Sequence, residues 1–166
     1  MVGRSTLELP LIGWQEWVAL PDLGLSAIKA KVDTGAKTSA LHATRIVIDA
    51  GQTGRERYVS FDVQPMLGRP GLVVSARAKL LEMRTVTSSN GSREERPTIS
   101  TRLRLGEIEA TIELTLTDRA GMRSRMLLGR QALTGLSVRI DPSRCWLQSR
   151  LSYRTYPGWR NSGLPK

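Results

Sequence analysis

Residues 28–40 have the sequence IKAKVDTGAKTSA. Its first five residues alternate apolar and basic, which is typical of a half-buried strand. This strand delivers Asp33 into a turn at Gly35, and small and hydroxylated residues follow. Glycine permits a tight turn and a close backbone approach. The stretch therefore predicts an exposed carboxylate at a strand end, although Asp-Thr-Gly alone is also compatible with a purely structural turn.

A second motif follows about ninety residues later, where Met126-Leu127-Leu128-Gly129-Arg130 reads as an apolar strand that ends on glycine. The sequence then favours one short helix over Arg130 to Leu136, the best helix candidate in the chain. The two motifs occur together and in this order. A purely structural Asp-Thr-Gly turn would not need the second motif, so their combination favours a functional site.

The rest of the chain is dominated by period-two segments, the clearest being residues 111–117, TIELTLT. Further strands are predicted at Gly13 to Leu20, Ala27 to Asp33, Arg45 to Asp49, Tyr58 to Val63, Val73 to Thr87 and Thr98 to Leu105. Turns are predicted at residues 21–24, at Asn90-Gly91 as a type I′ hairpin tip, and at residues 105–107. We therefore expect a nearly all-β domain, a small barrel or sandwich.

The composition limits the chemistry. The 166 residues are enough for one compact domain, and one Cys and one His allow neither an internal disulfide nor an ordinary zinc site. We interpret Cys145-Trp146-Leu147 as an apolar strand with a buried, inert thiol, and His42 as a buried structural imidazole. The start shows neither a signal peptide nor an 18-residue apolar run, so a cytoplasmic protein without membrane contact is expected.

The net charge is +10, and residues 119–166 carry ten basic residues against the single acid Asp141. Arginine accounts for most of the positive charge, and its guanidinium pairs well with carboxylate or phosphate. An anionic partner is one interpretation, and a solvated surface is the other. Residues 150–160 are basic, aromatic and interrupted by Pro and Gly, which predicts a tail that drapes over the domain or docks a partner.

Beyond these signals, residues 29–43 resemble the bacterial retropepsin-like family that includes RimB, whose members are often labelled putative ATP-dependent zinc proteases. The resemblance extends over about residues 11–147. It includes Ile12-Gly13-Trp14 with residues 16–21, residues 88–91 with 95–97, residues 113–119, Met126 to Arg130 and residues 141–144. It implies a mostly-β fold with a small closed barrel of the retropepsin type over residues 11–149, one short C-terminal helix, and a tail at 150–166.

The resemblance also implies catalytic residues: Asp33, Thr34 and Gly35. In such peptidases two aspartates meet at a two-fold axis and share one proton, because like charges this close cannot both ionise. The Thr34 hydroxyl would bond across the axis, and Gly35 would allow the close approach. One chain supplies half a site, so a homodimer is expected.

The predicted hairpin from about Arg84 to Arg96 resembles the flap that closes over substrate in this fold. Cations beside the cleft favour an acidic peptide substrate, and members resembling RimB are associated with an ATP-grasp ligase that adds glutamate tails to a ribosomal protein. The candidate substrate-binding residues are Ala36, Lys37, Thr38, Ser39, Arg84, Ser89, Asn90, Gly91, Arg96 and Arg130. No cofactor and no metal are expected, since the chain has no nucleotide-binding loop and too few zinc ligands.

Other interpretations stay open at this point. The basic aromatic tail is compatible with a ribosome- or nucleic-acid-binding module without catalysis, in which aromatic rings stack on bases. A catalytically silent, dimerising barrel is a third possibility. Lys37 is also compatible with a surface lysine without a role. Arg130 is also compatible with a structural role, in which it pairs with an acid.

Overall fold

The computed structural model describes residues 8–50, 56–119 and 121–161. Within these ranges the chain forms strands, one α-helix and two short 3₁₀ turns. The strands are β1 Leu11–Gly13, β2 Gln15–Leu20, β3 Leu25–Val32, β4 Ser39–His42, β5 Thr44–Ala50, β6 Arg57–Val63, β7 Val74–Thr87, β8 Arg93–Leu105, β9 Ile108–Thr117, β10 Met126–Leu128 and β11 Arg139–Asp141. The helix, α1, spans Arg130–Leu136 as predicted, and the 3₁₀ turns span Pro21–Leu23 and Tyr153–Thr155.

Six strands close into a barrel in the order β2-β3-β10-β4-β9-β8. The ring closes where Ala19 of β2 pairs with Arg104 of β8. The alternation seen in the sequence turns one side of each strand inward, so the interior is filled by aliphatic side chains such as Ile28, Leu41 and Leu114, all fully buried. This arrangement confirms the predicted small closed barrel with one short helix.

Strand β10 is inserted between β3 and β4, which are consecutive in sequence but not adjacent in space. Met126 pairs in parallel with Ala30 of β3 and antiparallel with Leu41 of β4. The loop that joins β3 to β4 must therefore pass over the end of β10. This insertion brings the two sequence motifs, Asp33-Thr34-Gly35 and the glycine after Leu128, into contact.

Strands β5, β6 and the first half of β7 form a three-stranded extension beside the barrel. The second half of β7 turns onto the barrel and pairs with β8 from Leu80↔Ile99 to Thr87↔Arg93. The predicted hairpin tip at Asn90-Gly91 is confirmed, but its turn type is wrong. The loop has five residues, and Gly91 takes a φ of 85° while Asn90 is not among the positive-φ residues. Asn90 acts through its side chain, which accepts from the Ser92 N–H at 3.0 Å.

The structure corrects three further expectations. The predicted strand Gly13 to Leu20 is interrupted at Trp14, because the chain changes partner there from β11 to β3. The predicted strand at Cys145 to Leu147 is wrong: this segment lies outside regular structure, and Cys145 is half-buried. Its backbone is held instead by the side chain of Glu16, which accepts from the N–H groups of Leu147 and Gln148. Strands β4 and β11 were not predicted.

The C-terminal segment packs against the barrel up to residue 161, and residues 162–166 of the predicted tail lie outside the described residues. The Tyr156 hydroxyl accepts from the Ala27 N–H at 3.0 Å and donates to the Ala27 carbonyl at 2.5 Å. These bonds satisfy β3 next to its register shift against β2. The boundary between a domain at 11–149 and a tail at 150–166 stays a prediction.

Candidate active site

The Asp33 loop begins where β3 ends. The Asp33 N–H donates to the Leu128 carbonyl at 2.9 Å, and the preceding Val32 N–H donates to the Trp14 carbonyl at 2.9 Å. Strand β10 on one side and the junction of β1 with β2 on the other therefore fix the backbone that carries the carboxylate. Because these contacts use only main-chain atoms, they place Asp33 without consuming its side chain.

The Asp33 carboxylate is half-buried and only partly used. Its Oδ1 accepts from the Gly35 N–H at 3.0 Å. No hydrogen bond or ion pair from residues 8–50, 56–119 or 121–161 reaches Oδ2. Thr34 and Gly35 are both exposed beside it. The three predicted catalytic residues thus form one exposed turn with an available carboxylate oxygen.

Gly129 seats the loop on β10 and α1. A Cβ at this position would lie 2.6 Å from the Thr38 carbonyl carbon and 2.7 Å from its oxygen, so only glycine permits this approach. The first backbone N–H groups of α1 point at the loop: Arg130 donates to the Ala36 carbonyl at 2.8 Å and Gln131 to the Lys37 carbonyl at 3.1 Å. The first N–H groups of α1, which have no partner within the helix, therefore donate to the carbonyls of the Asp33 loop.

Ser39 fastens the other end of the loop. Its buried hydroxyl accepts from the Gly129 N–H at 3.0 Å, and its carbonyl accepts from the Thr115 hydroxyl at 3.1 Å. The structure thus gives Ser39 a positioning role, and its predicted contact with substrate stays a prediction. Thr115 was not singled out from the sequence, because it is one of several polar residues on the face of β9 opposite Leu114 and Leu116.

Two predicted cations lie beside the loop. The Arg130 guanidinium donates to the Thr34 carbonyl at 2.9 Å. Lys37 is exposed and, with Arg130, Gln131 and Thr134, lines an open depression of about 480 Å³. Because Arg130 contacts the Thr34 carbonyl, the interpretation that Arg130 belongs to the site is favoured over a structural ion pair with an acid.

Arg84 connects the predicted flap to the loop. Its guanidinium pairs with Glu82 at 2.6 Å and Glu113 at 2.9 Å, and it donates to the Thr38 hydroxyl at 3.4 Å. Burial opposes the charge, but hydrogen bonds to the two glutamates raise the pKa of Arg84 above its usual value. Glu113 was not singled out from the sequence, where it is one of several polar residues on the outer face of β9.

Among the described residues, no hydrogen bond or ion pair joins the remaining predicted residues to residues 33–39. Arg96 is buried, and its Nε donates to Glu94 at 2.9 Å, while Glu94 also accepts from the Thr117 hydroxyl. Ser89, Asn90 and Gly91 are exposed at the hairpin tip, and no hydrogen bond among the described residues joins them to residues 33–39. Their contact with substrate stays a prediction.

The part of the chain that the structure describes contains no cluster of three or more His, Cys, Asp or Glu side chains arranged to hold a metal ion. His42 is buried, and its Nδ1 accepts from the Arg119 N–H at 3.1 Å. Burial, with a smaller effect of the Arg125 charge, lowers the pKa of His42. Among the described helices, none is long and apolar enough to cross a membrane.

The closed six-stranded barrel and the exposed Asp-Thr-Gly turn agree with the retropepsin-like aspartic endopeptidase fold that the sequence resemblance implied. The chain belongs to the RimB-like family of this class: the family model described as "Retropepsin-like aspartic endopeptidase RimB" matches residues 11–151. The family resemblance inferred from the sequence is thereby confirmed.

Several relatives carry names of another kind. Proteins named "Probable alpha-L-glutamate ligase" are 46% identical over 132 residues in Parasynechococcus marenigrum and 41% identical over 133 residues in Shewanella pealeana. Each match covers 80% of this chain, but the chain spans only 28% of the length of these curated relatives. A crystal structure of a Legionella pneumophila protein of unknown function has a TM-score of 0.69 and 28% identity, with coverage of 83% of this chain and 97% of that one.

Proposed function

We propose that this protein is an aspartic endopeptidase that acts as a homodimer and hydrolyses peptide bonds in acidic, glutamate-rich chains. The observation that carries the proposal is the Asp33 carboxylate, which is held at the end of β3 with Oδ2 free of any bond within the described residues. Membership of a family described as aspartic endopeptidases supports the same chemistry.

The homodimer follows from the chemistry of aspartic peptidases. Hydrolysis needs two carboxylates that share one proton, and this chain supplies one such Asp-Thr-Gly loop. In the dimer one Asp33 takes a proton from water, whose oxygen bonds to the peptide carbonyl carbon. The protonated Asp33 of the second copy donates to the carbonyl oxygen. Collapse of the tetrahedral intermediate breaks the C–N bond, and the departing amine takes the proton that the first Asp33 received from water. One hydroxyl of the intermediate returns its proton to the second Asp33 as the product carbonyl forms, so the pair again shares one proton.

The substrate class rests on the charge near the loop and on the names of the relatives. Arg130 donates to the Thr34 carbonyl, and Lys37 lines the same depression as Arg130. These two cations therefore lie beside the Asp33 loop, where they would attract substrate carboxylates. Regions similar to this chain lie within longer proteins named glutamate ligases. A hydrolase that trims glutamate tails is a functional counterpart of a ligase that adds them, so an ATP-grasp glutamate ligase is the proposed partner.

The test is an intact-mass time course on a small protein that ends in a run of α-linked glutamates. Wild type, Asp33→Asn and the matched control Asp49→Asn are compared, each with and without a chelator; Asp49 is an exposed acid on β5, outside the site. We expect wild type and Asp49→Asn to remove glutamate-sized masses and Asp33→Asn to remove none. Trimming that survives Asp33→Asn, or that stops with chelator, contradicts the proposed mechanism.

A contact with the ribosome through the basic tail is a separate proposal. Tyr153 and Tyr156 are turned toward the barrel, where Tyr153 packs edge-on against Trp17 at 4.9 Å and Tyr156 is 4% exposed. Those two rings are therefore engaged inside the protein and are poor candidates for base stacking. The exposed cations Arg150, Arg154 and Arg160 are the groups that such a contact would use.

A further inference from the structure

A second cavity, of about 260 Å³, lies away from the Asp33 loop, at the opposite end of β10. The register of β3 with β10 places Ala30 beside Met126, so Lys29 and Arg125 flank the start of β10 while Asp33 follows Leu128 at its end. We name this site the Arg125 cavity. Its walls are formed by Gln15, Lys29, Pro65, Met66, Leu67, Arg123, Ser124, Arg125, Trp146 and Tyr153.

The charged groups that line the Arg125 cavity are all positive. Lys29, Arg123 and Arg125 lie on its wall, and no carboxylate of the described residues does. None of the three forms an ion pair within the described ranges. Elsewhere on the barrel, exposed arginines do find acids, as Arg102 does with Asp22 at 2.7 Å and Arg104 with Glu109 at 3.3 Å. The cavity is thus a local excess of positive charge.

Arg125 is the most informative of these groups, because it is only 8% exposed. Its Nε has no hydrogen-bond partner among the described residues. The side chain's one hydrogen bond within these residues is long, 3.5 Å, and runs from a terminal guanidinium nitrogen to the Met122 carbonyl. Burial lowers the pKa of Arg125, although a guanidinium keeps its proton in proteins. A buried cation without a counter-charge is costly, and an anion in the cavity would remove that cost.

The other walls suit an anion carried on a short hydrocarbon chain. The Lys29 ammonium lies 5.2 Å from the Trp17 ring and 5.3 Å from the Trp146 ring, so two aromatic faces hold it in place. Pro65, Met66 and Leu67 also line the cavity and add apolar surface. A glutamate side chain, two methylenes that end in a carboxylate, matches both the apolar and the cationic walls.

We propose that the Arg125 cavity is a second binding site for the acidic substrate and takes up a glutamate side chain outside the catalytic loop. This inference rests on the proposed function and names a further subsite for the same substrate. Lys29 on β3 and Asp33 just after its end are four residues apart, ~13 Å at about 3.3 Å per residue. A glutamate tail a few residues longer than the cleaved segment could therefore reach both places.

The experiment measures binding of acetyl-hexaglutamate amide to Asp33→Asn protein, which is expected not to cleave it. Titration calorimetry is combined with the fluorescence of the cavity's tryptophan. The variants are Lys29→Gln and Arg123→Gln, and the matched control is Arg57→Gln, an exposed arginine at the far end of β6. Lys29 and Arg123 are both exposed, so we expect a Kd up to about fivefold weaker for each cavity variant, as for loss of one surface charge pair, and a change below about twofold for the control.

Arg125→Met separates a binding role from a structural one. Replacing an unpaired buried charge by an apolar side chain of similar length is expected to leave Tm unchanged or to raise it. Binding of hexaglutamate is expected to weaken at the same time. Lowered Tm with unaltered binding would overturn the inference, since it would make Arg125 a structural residue only.

Two other outcomes also overturn the inference. Equal Kd values for the cavity variants and Arg57→Gln would mean that hexaglutamate binds through diffuse charge. Tighter binding of oligouridylate than of hexaglutamate, with loss in the same variants and a steep salt dependence, would assign the cavity to nucleic acid. Failure of the proposed function is distinguishable, because it would leave wild type unable to trim while hexaglutamate still bound the Asp33→Asn protein.

Discussion

Two carboxylates of the barrel, Glu16 and Asp33, are used in opposite ways. Glu16 is fully buried and accepts from three backbone N–H groups, those of Gly13 at 2.9 Å, Leu147 at 3.0 Å and Gln148 at 2.9 Å. Asp33 is half-buried and accepts from one, that of Gly35. The saturated carboxylate holds separate segments of the chain together, and the unsaturated one keeps an oxygen that the proposed mechanism can use.

The largest expected effect is on activity. In the proposed mechanism Asp33→Asn removes a group that exchanges protons with the reacting atoms, so we expect trimming to fall by at least about 10³-fold, as for loss of an acid–base group. Stability should barely change, because the one internal bond to Oδ1 can also be accepted by the Asn amide oxygen. Measuring Tm and trimming on the same preparation checks both expectations. A large drop in Tm would show that Asp33, like Glu16, has a mainly structural role.

The next effect is on stability. Glu16→Ala leaves three backbone N–H groups at the meeting of β1, β2 and residues 147–148 without their acceptor, which should lower the free energy of unfolding by about 3 kcal/mol or more. The control is Glu107→Ala, an exposed acid in the β8–β9 turn, where a change within about 0.5 kcal/mol is expected. Urea unfolding at neutral pH measures both. Equal effects would contradict the role of Glu16.

A pair of glycines tests how the Asp33 loop is seated. Gly129→Ala forces the loop backbone away from β10, so we expect about 1–3 kcal/mol of destabilisation together with reduced trimming. Gly135→Ala is the control in α1, where nothing lies within 4 Å of an added Cβ. Alanine there should stabilise the helix by about 0.5–1 kcal/mol and leave trimming unchanged. Unchanged stability and unchanged trimming in Gly129→Ala would contradict the close packing of the Asp33 loop on Gly129.

The smallest effect concerns the pH dependence of stability and Tyr153 in the C-terminal segment. Burial, with the neighbouring Tyr156, raises the pKa of Tyr153 to about 12. An unfolded tyrosine ionises near pH 10, so between about pH 10 and 12 the unfolded state holds fewer protons than the folded one. The free energy of unfolding must then fall as pH rises through this window. Urea unfolding at pH 8 and pH 11 should show a shallower fall in Tyr153→Phe; an identical fall would contradict the assignment.

Much of the barrel was predictable because its strands alternate, as residues 111–117 do. β4 was missed because Ser39 to His42 are all buried, so no alternation marks them. The strand predicted at Cys145 to Leu147 failed for a related reason: its apolar run is held by Glu16, a residue about 130 positions earlier. A side chain that bonds distant backbone leaves no local pattern in the sequence.

The candidate site divides along the same line. Asp33-Thr34-Gly35 and Gly129 could be recognised because their chemistry is local. The ion pair of Arg84 with Glu113 and the burial of Arg96 depend on which residues face each other across β7, β8 and β9. The Arg125 cavity could not be predicted at all, since Lys29, Arg123 and Trp146 meet only after β10 is inserted beside β3.

In the proposed mechanism each active site needs Asp33 from two chains, and mixing subunits distinguishes such a site from one formed within a single chain. Wild type and Asp33→Asn are co-refolded at equal concentrations, and trimming is measured per wild-type chain. If a site requires two Asp33 carboxylates, mixed dimers are inactive and the activity per wild-type chain falls to about half, and further with excess variant. An activity per wild-type chain that does not change on mixing would show that one Asp33 is sufficient, and would contradict the account.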